Sequence, residues 1–372
     1  MIEDDRLRAE AHDSPLQEAA GRGVRRGVVA LGGGAALFVL ASAAFDLGWL
    51  SDRGEPAEQG AAQQAMQPFL PPEGHTIPEG PAGDAIKRGE AIFMNTRINA
   101  NDFVGNDLSC SNCHLDGGRR ADSAPMWAAW VSYPAYRKKN KQINTMEDRI
   151  KGCFTYSMNA QNSPTGGAPP AGHDVYKDLQ TYMHWLATGA PTGKKMLGAG
   201  YPELDKPAGG YDPARGKLVY DAKCAVCHGS DGQGQRDLNG RLVFPPLWGP
   251  DSYNWGAGMA RVNTAAGFIK ANMPLGQGNS LTDQQAWDAA AFIDSQERPR
   301  DPRQKGSIAD NAKANHGGDS YYGKAIDGRL LGAGTFYKTM LASLRKTAKN
   351  DNPLIHGGRA EEIFRAQLDQ TL

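Results

Sequence analysis

The sequence predicts an all-α protein of two tandem helical domains with long binding loops, and three observations carry that prediction. The first is a duplicated Cys-x-x-Cys-His motif, Cys110-Ser111-Asn112-Cys113-His114 and Cys224-Ala225-Val226-Cys227-His228. The second is a duplicated short helix ahead of each motif. Lys87-Arg88-Gly89-Glu90-Ala91-Ile92-Phe93 and Ala214-Arg215-Gly216-Lys217-Leu218-Val219-Tyr220 each set a Gly four residues before an aromatic. A Gly there lets a second helix cross close to the backbone. The third is an amphipathic helix closing each copy. Tyr176, Leu179, Tyr182, Met183 and Leu186 keep helical spacing in the first, and Trp287, Ala290, Ala291 and Phe292 follow a Thr282-Asp283 helix start in the second. The copies divide at residues 81–200 and 201–300. Pro202, Pro207, Gly209 and Gly210 make 201–212 a linker.

Cys-x-x-Cys-His is the attachment pattern of c-type haem: the paired thiols add to the porphyrin vinyl groups, and the His lies under the ring as an axial iron ligand. A zinc half-site or a disulfide pair would leave the His after each motif unexplained. Two covalently bound haem c groups are therefore expected, held by Cys110, Cys113, Cys224 and Cys227, with His114 and His228 on the irons. Two class I cytochrome c domains account for the helices and loops.

Lys and Arg together number 41, as do Asp and Glu, so the formal charge of zero implies no polyanionic partner and no nucleic acid. Haem joins such thiols after export, which places the domains in the periplasm. Residues 1–27 form a polar leader ending in Arg22, Arg25 and Arg26, and Val28 to Phe45 is free of charge. Residues 28–50 read as a transmembrane anchor in the inner membrane. A cleaved signal peptide is the competing reading, because Ala41-Ser42-Ala43 offers a small-residue cleavage site. Residues 51–80, rich in Pro, Gly, Ala and Gln, read as a tether.

The sixth iron ligands separate the domains. In the second, Asn272-Met273-Pro274 follows His228 at a distance suited to a thioether ligand, with Met259 as rival; a His/Met pair raises the haem potential. The first has no matching Met-Pro. Met126, Met146, Met158, Met183 and Met196 are present there, but so is Cys153, the one thiol left after haem attachment. A lone Cys is most often a small buried hydrophobe. Arg149 and Lys151 beside it favour the thiolate that binds iron, and thiolate ligation holds a haem at low potential, which suits chemistry better than simple electron carriage.

Leu108 through Gly118, Ser123-Ala124-Pro125-Met126-Trp127, Tyr133-Pro134-Ala135-Tyr136-Arg137 and above all Arg149-Ile150-Lys151-Gly152-Cys153-Phe154-Thr155-Tyr156-Ser157-Met158-Asn159 resemble the catalytic domain of diheme thiosulfate dehydrogenases, the tetrathionate-forming type. With the second domain, the resemblance covers roughly residues 85 to 300. It implies that the first haem, ligated by His114 and Cys153, is the active site and that the second passes electrons on. It also allows Cys153 to leave the iron and carry a thiosulfate adduct. Some members set a Lys before the ligating Met and exchange ligands on reduction; this chain has Asn272 there and Lys270 further back. Joining two thiosulfates forms one sulfur–sulfur bond and releases two electrons, one per haem. The substrates are dianions, so a cationic clamp is expected, drawn from Arg137, Lys138, Lys139, Lys141, Arg149 and Lys151. Arg149, four residues before Cys153, shares its helical face, and Ser157, four after, offers a hydrogen-bond donor. The electron acceptor is expected to be another cytochrome c or a membrane-bound complex, and the reaction is open to reversal. A non-catalytic diheme carrier docked to a membrane redox complex is the alternative. In the extension 301–372, Phe336, Met340, Leu341 and Leu344 suggest a short helix, while Gly317, Gly318, Gly357 and Gly358 suggest a loose tail.

Overall fold

A computed structural model describes residues 68–137 and 140–334. The membrane segment expected at 28–50 and the short helix expected around 336–344 lie outside the described residues. Among the described residues, no helix is long and apolar enough to cross a membrane.

Each haem domain is two crossed helices with its motif between them. In the first, α1 (Pro81–Met94) leads to the Cys110–His114 loop, then come α2 (Met126–Val131), a hairpin of β1 (Ala135–Arg137) and β2 (Gln142–Asn144), α3 (Met146–Tyr156) and α4 (Asp174–Leu186), which packs on α1. In the second, α5 (Pro213–Lys223) precedes the Cys224–His228 motif, a hairpin of β3 (Gln235–Arg236) and β4 (Leu242–Phe244) follows, and α7 (Asp283–Asp294) packs on both α5 and α6 (Val262–Asn272). The apolar stripes read from sequence are the buried ones: Tyr176, Leu179, Tyr182, Met183 and Leu186 on α4, and Trp287, Ala290 and Ala291 on α7. Thr282 starts α7 with a reciprocal cap, accepting from Gln285 N while Thr282 N donates to Gln285 Oε1.

The duplicated glycines mark the two helix crossings. A methyl at Gly89 would overlap the Asp178 carbonyl and Tyr182 Cβ, and one at Gly216 would overlap the Asp288 carbonyl and Phe292 Cβ. Each crossing is pinned by the Arg before the Gly. Arg88 forks onto Asp178 through Nε and Nη2, both at 2.9 Å, and Arg215 onto Asp288, both at 2.8 Å. Each also packs a tilted aromatic pair, Phe93 with Tyr182 and Tyr220 with Phe292. The single hydroxyl of each pair donates to a glycine carbonyl just after the haem-binding His, Tyr182 to Gly117 at 2.8 Å and Tyr220 to Gly229 at 2.7 Å. The hydroxyl sits on the closing helix in one domain and on the opening helix in the other, and the carbonyl it reaches lies three residues after His114 in the first and one after His228 in the second.

Three segments expected to be connectors are instead packed. At the end of the 51–80 tether, Phe69 contacts Trp127 and the Pro72 carbonyl accepts from Arg119. In the 201–212 linker, Lys206 and Tyr211 both bond Asp319. The start of the extension is buried: just before it Arg298 lies beneath Tyr253 and Trp255, Asp301 is enclosed, and α8 (Ile308–Asn315) with a hairpin of β5 (Ala325–Ile326) and β6 (Arg329–Leu330) carries Tyr321, Tyr322 and Leu331 into the core. Polar, Gly- and Pro-rich composition suggested solvated chain here; ion pairs and stacked rings supply what apolar side chains do elsewhere.

Candidate functional site

Two cavities open beside the two motifs. The first, about 250 Å³, is lined by Cys110, Cys113 and His114, by the apolar side chains of Phe93, Met126, Ile150, Phe154, Leu179 and Met183, and by Arg137, Arg149, Cys153 and Ser157. The second, about 260 Å³, is lined by Cys224, Cys227 and His228, by Met259 and Met273, and by Leu247, Phe268, Ile269 and Ile293.

Both sites suit a flat apolar macrocycle with iron at its centre. His114 Nδ1 lies 2.8 Å from the Ala124 carbonyl and His228 Nδ1 2.9 Å from the Pro245 carbonyl. A carbonyl only accepts, so each Nδ1 carries the proton and each Nε2 presents a free lone pair to a metal. With paired thiols at the edge and apolar walls, the cavities have the donor set of covalently held haem.

The first cavity draws its chemistry from α3. Thr145 caps this helix, its Oγ1 accepting from Asp148 N at 3.1 Å. Met146, Arg149, Ile150, Cys153, Phe154 and Ser157 recur every three or four residues and all line the cavity, one continuous helical stripe. Arg149 keeps exposed surface area although protein surrounds its guanidinium, as expected of a side chain whose free surface faces a cavity.

Cys153 is distinguished electrostatically from the other thiols of that cavity. Burial pushes the Cys110 and Cys113 thiols up to about 12. Burial raises Cys153 as well, but the Arg149 guanidinium, and after it the His114 ring, outweigh it and bring the thiol down to about 7. Met126, Met146, Met158 and Met183 line the same cavity as Cys153 and His114. Met196 packs elsewhere, in the cluster around Trp127.

Other expected site residues divide. Arg137, on β1, lines the cavity and leans on the Tyr133 ring at 5.9 Å. Lys138 and Lys139 lie outside the described residues. Lys141 and Lys151 are exposed and outside the lining. The expectation that Lys151 supports the Cys153 thiolate is therefore corrected: residues two apart on a helix do not share a face. In the second cavity Met273 and Met259 both stand on the wall. Lys270 is turned away, its Nζ bonded to the Leu281 carbonyl and Asp283, each at 2.8 Å. Asn272 donates to the Asp122 carbonyl of the first domain at 2.9 Å.

Several contributors were not singled out as site residues from the sequence. Tyr133 and Tyr201 flank Arg149, and Tyr201 also stacks near His114 and donates to the Cys113 carbonyl at 3.3 Å. Leu108, Ser111, Asn112, Cys113 and Leu115 of the first domain form a wall of the second cavity, so Cys113 lines both. The last-turn carbonyls of α3 are satisfied from afar: Thr155 by Asn254 Nδ2 at 2.9 Å, Tyr156 by Asn254 N at 3.1 Å and Ser157 by Asn106 Nδ2 at 2.8 Å.

Comparison with known proteins agrees with this duplicated arrangement. The profile of the SoxA/TsdA cytochrome c domain matches residues 89–192, and that of cytochrome c matches residues 213–297. A thiosulfate dehydrogenase of Stutzerimonas stutzeri (strain A1501) is 50% identical over 270 residues, 72% of this chain and 85% of that protein. One of Thiomonas intermedia (strain K12) is 50% identical over 277 residues, 74% of this chain and 86% of its own. The solved structure of thiosulfate dehydrogenase (TsdBA) from Marichromatium purpuratum, in its as-isolated form, superposes with a TM-score of 0.70 at 52% identity. That match covers 73% of this chain and 59% of that longer one.

Proposed function

The chain belongs to the thiosulfate dehydrogenase family, and we propose that it joins two thiosulfates into one tetrathionate at the first cavity and sends the electrons out through the second. Its two cytochrome c domains bind two haem c groups covalently. When bound, each haem accepts one electron, so the pair holds the yield of one turnover. The stoichiometry closes without protons: two thiosulfate dianions form one sulfur–sulfur bond and give one tetrathionate dianion and two electrons.

The protein's task is to bring like charges together. Repulsion costs about 4 kcal/mol for each pair of unit charges about 4 Å apart at partly screened sites. Arg149 and Arg137 offset that cost by facing the same cavity. Ser157 offers a hydroxyl to a sulfonate oxygen or to the Cys153 sulfur. Cys153 with His114 would hold the first haem iron, and Met273 with His228 the second. Because Cys113 lines both cavities, the electron path between the haems crosses a single wall.

The observation that carries this reading is that Cys153, Arg149 and His114 line one cavity, with Arg149 drawing the Cys153 thiol down. Haem attachment after export supports a periplasmic location, with residues 28–50 as an inner-membrane anchor and another cytochrome c as acceptor. Mixing purified holoprotein with thiosulfate and a chemical oxidant should yield tetrathionate, and Cys153→Gly should abolish it while both covalent haems remain. A Cys153→Gly protein that turns over at the parent rate would leave the electron-carrier alternative in its place.

A further inference from the structure

Cys153 lies in the last turn of α3, the part of a helix most prone to fraying. A ligand there needs its helix end held, and the backbone caps from Asn254 and Asn106 fix only carbonyls. Phe154 anchors this turn on the core side, buried against Tyr176, and Tyr156 anchors it on the side of the extension. Its ring abuts Gly256, where an added methyl would overlap Tyr156 Cδ1, and the Arg303 guanidinium lies over the same ring at 5.1 Å.

Arg303 is in turn fixed by a buried carboxylate. Asp301, fully enclosed, accepts from Arg303 Nε at 3.0 Å and Nη2 at 2.6 Å, from His316 Nε2 at 2.7 Å and from Asn311 Nδ2 at 3.3 Å. His316 stacks on Tyr322 at 3.8 Å, and Tyr322 meets Trp255 edge-on. Trp255 N donates to the Pro299 carbonyl at 3.0 Å. The extension thus grips α3 directly through Arg303 and indirectly through the 252–257 loop that caps it.

We propose that Arg303, held by Asp301, is a positioning residue for Cys153: the C-terminal extension sets the rotation of the last turn of α3, and with it the distal side of the first haem. This rests on Cys153 being that haem's distal ligand. Arg303 is about 20% exposed at its side chain and touches neither cavity, so its loss acts only through Tyr156 and Asp301.

The test uses full-length holoprotein carrying Arg303→Gln, Arg303→Lys or Tyr156→Leu, with redox titration and electron paramagnetic resonance of both haems, steady-state kinetics and thermal unfolding. In Arg303→Gln the thiolate signal should split or weaken and the first-haem potential shift, while the second haem keeps its potential and its Met band. Turnover should fall on the order of tenfold, the lower end for partners outside a metal's own ligands, with KM for thiosulfate little changed; Arg303→Lys should restore most of it. An unchanged first haem with only a lower Tm would overturn the proposal, as would equal shifts in both haems. If Arg303→Gln yields no holoprotein, Tyr156→Leu decides by the same criteria. A parent protein without any thiolate signal would overturn the Cys153 assignment itself, an outcome read before any variant is made.

Discussion

On their proximal sides the two haem cavities are near copies: paired thiols, a His whose Nδ1 is held by a backbone carbonyl, and a helix crossing at a Gly flanked by a forked Arg–Asp pair. On their distal sides they differ in kind. The first is walled by α3, which brings Cys153 and Arg149 to the cavity lining; the second is closed by the segment after α6, which brings Met273 behind an Asn272 committed to the first domain. Duplication has kept the part that holds haem and changed the part that decides what the haem does.

Substitutions on the distal sides should therefore separate the domains. The largest expected effect is at Cys153. Cys153→Gly should lower tetrathionate formation by at least about 10²-fold, since even partners outside a metal's own ligands contribute 10- to 100-fold, and intact mass should still show both haems. Arg149→Gln keeps the ligand but removes a charge-assisted contact worth roughly 1.5–3 kcal/mol. It should raise KM for thiosulfate by about 10- to 100-fold in steady-state assays and leave the first-haem spectrum in place. Met273→Gly should remove the near-infrared sulfur-to-iron band of the second haem and slow electron delivery, with thiosulfate binding unchanged. A surviving band would transfer the role to Met259, which stands on the same wall.

Proximal substitutions should instead act alike in both domains. Gly89→Ala and Gly216→Ala both insert a methyl into a crossing backbone. Although Ala is the better helix former by about 1 kcal/mol, overpacking of about 1–3 kcal/mol should win, and chemical denaturation should show each variant destabilised. The smallest effect concerns pH. His316 and Arg303 hold the Asp301 carboxyl below the ordinary carboxylate range despite its burial. A carboxyl depressed in the folded state stabilises fully above its unfolded value, about pH 4, and less as acid protonates it. Asp301→Asn should thus lower stability at neutral pH, and the difference from the parent should shrink below about pH 4.

The same contrast shows what could be read from sequence. The repeated proximal features were legible because they are local: Cys-x-x-Cys-His, the Gly before an aromatic, and the apolar stripes of α4 and α7. That Cys153 and Arg149 share one cavity wall was legible from their helical spacing. The Asp178 and Asp288 partners, each four residues before Tyr182 or Phe292, carried a readable repeat that composition alone obscured. Asn254 capping Thr155, Cys113 serving both cavities and Arg303 gripping Tyr156 are long-range contacts with no periodic signature. The extension misled because its glycines and prolines suggest solvated chain, whereas Asp301 organises it through buried hydrogen bonds.

The central claim is that thiosulfate chemistry belongs to the first haem because Cys153 ligates it. The most direct measurement is electron paramagnetic resonance of the ferric parent beside Cys153→Gly, with tetrathionate assayed on the same samples. The account predicts two low-spin signals in the parent, selective loss of the thiolate-type signal in the variant, an intact His/Met signal, and almost no product. Retention of the thiolate-type signal in Cys153→Gly, or product formed at the parent rate, would contradict it.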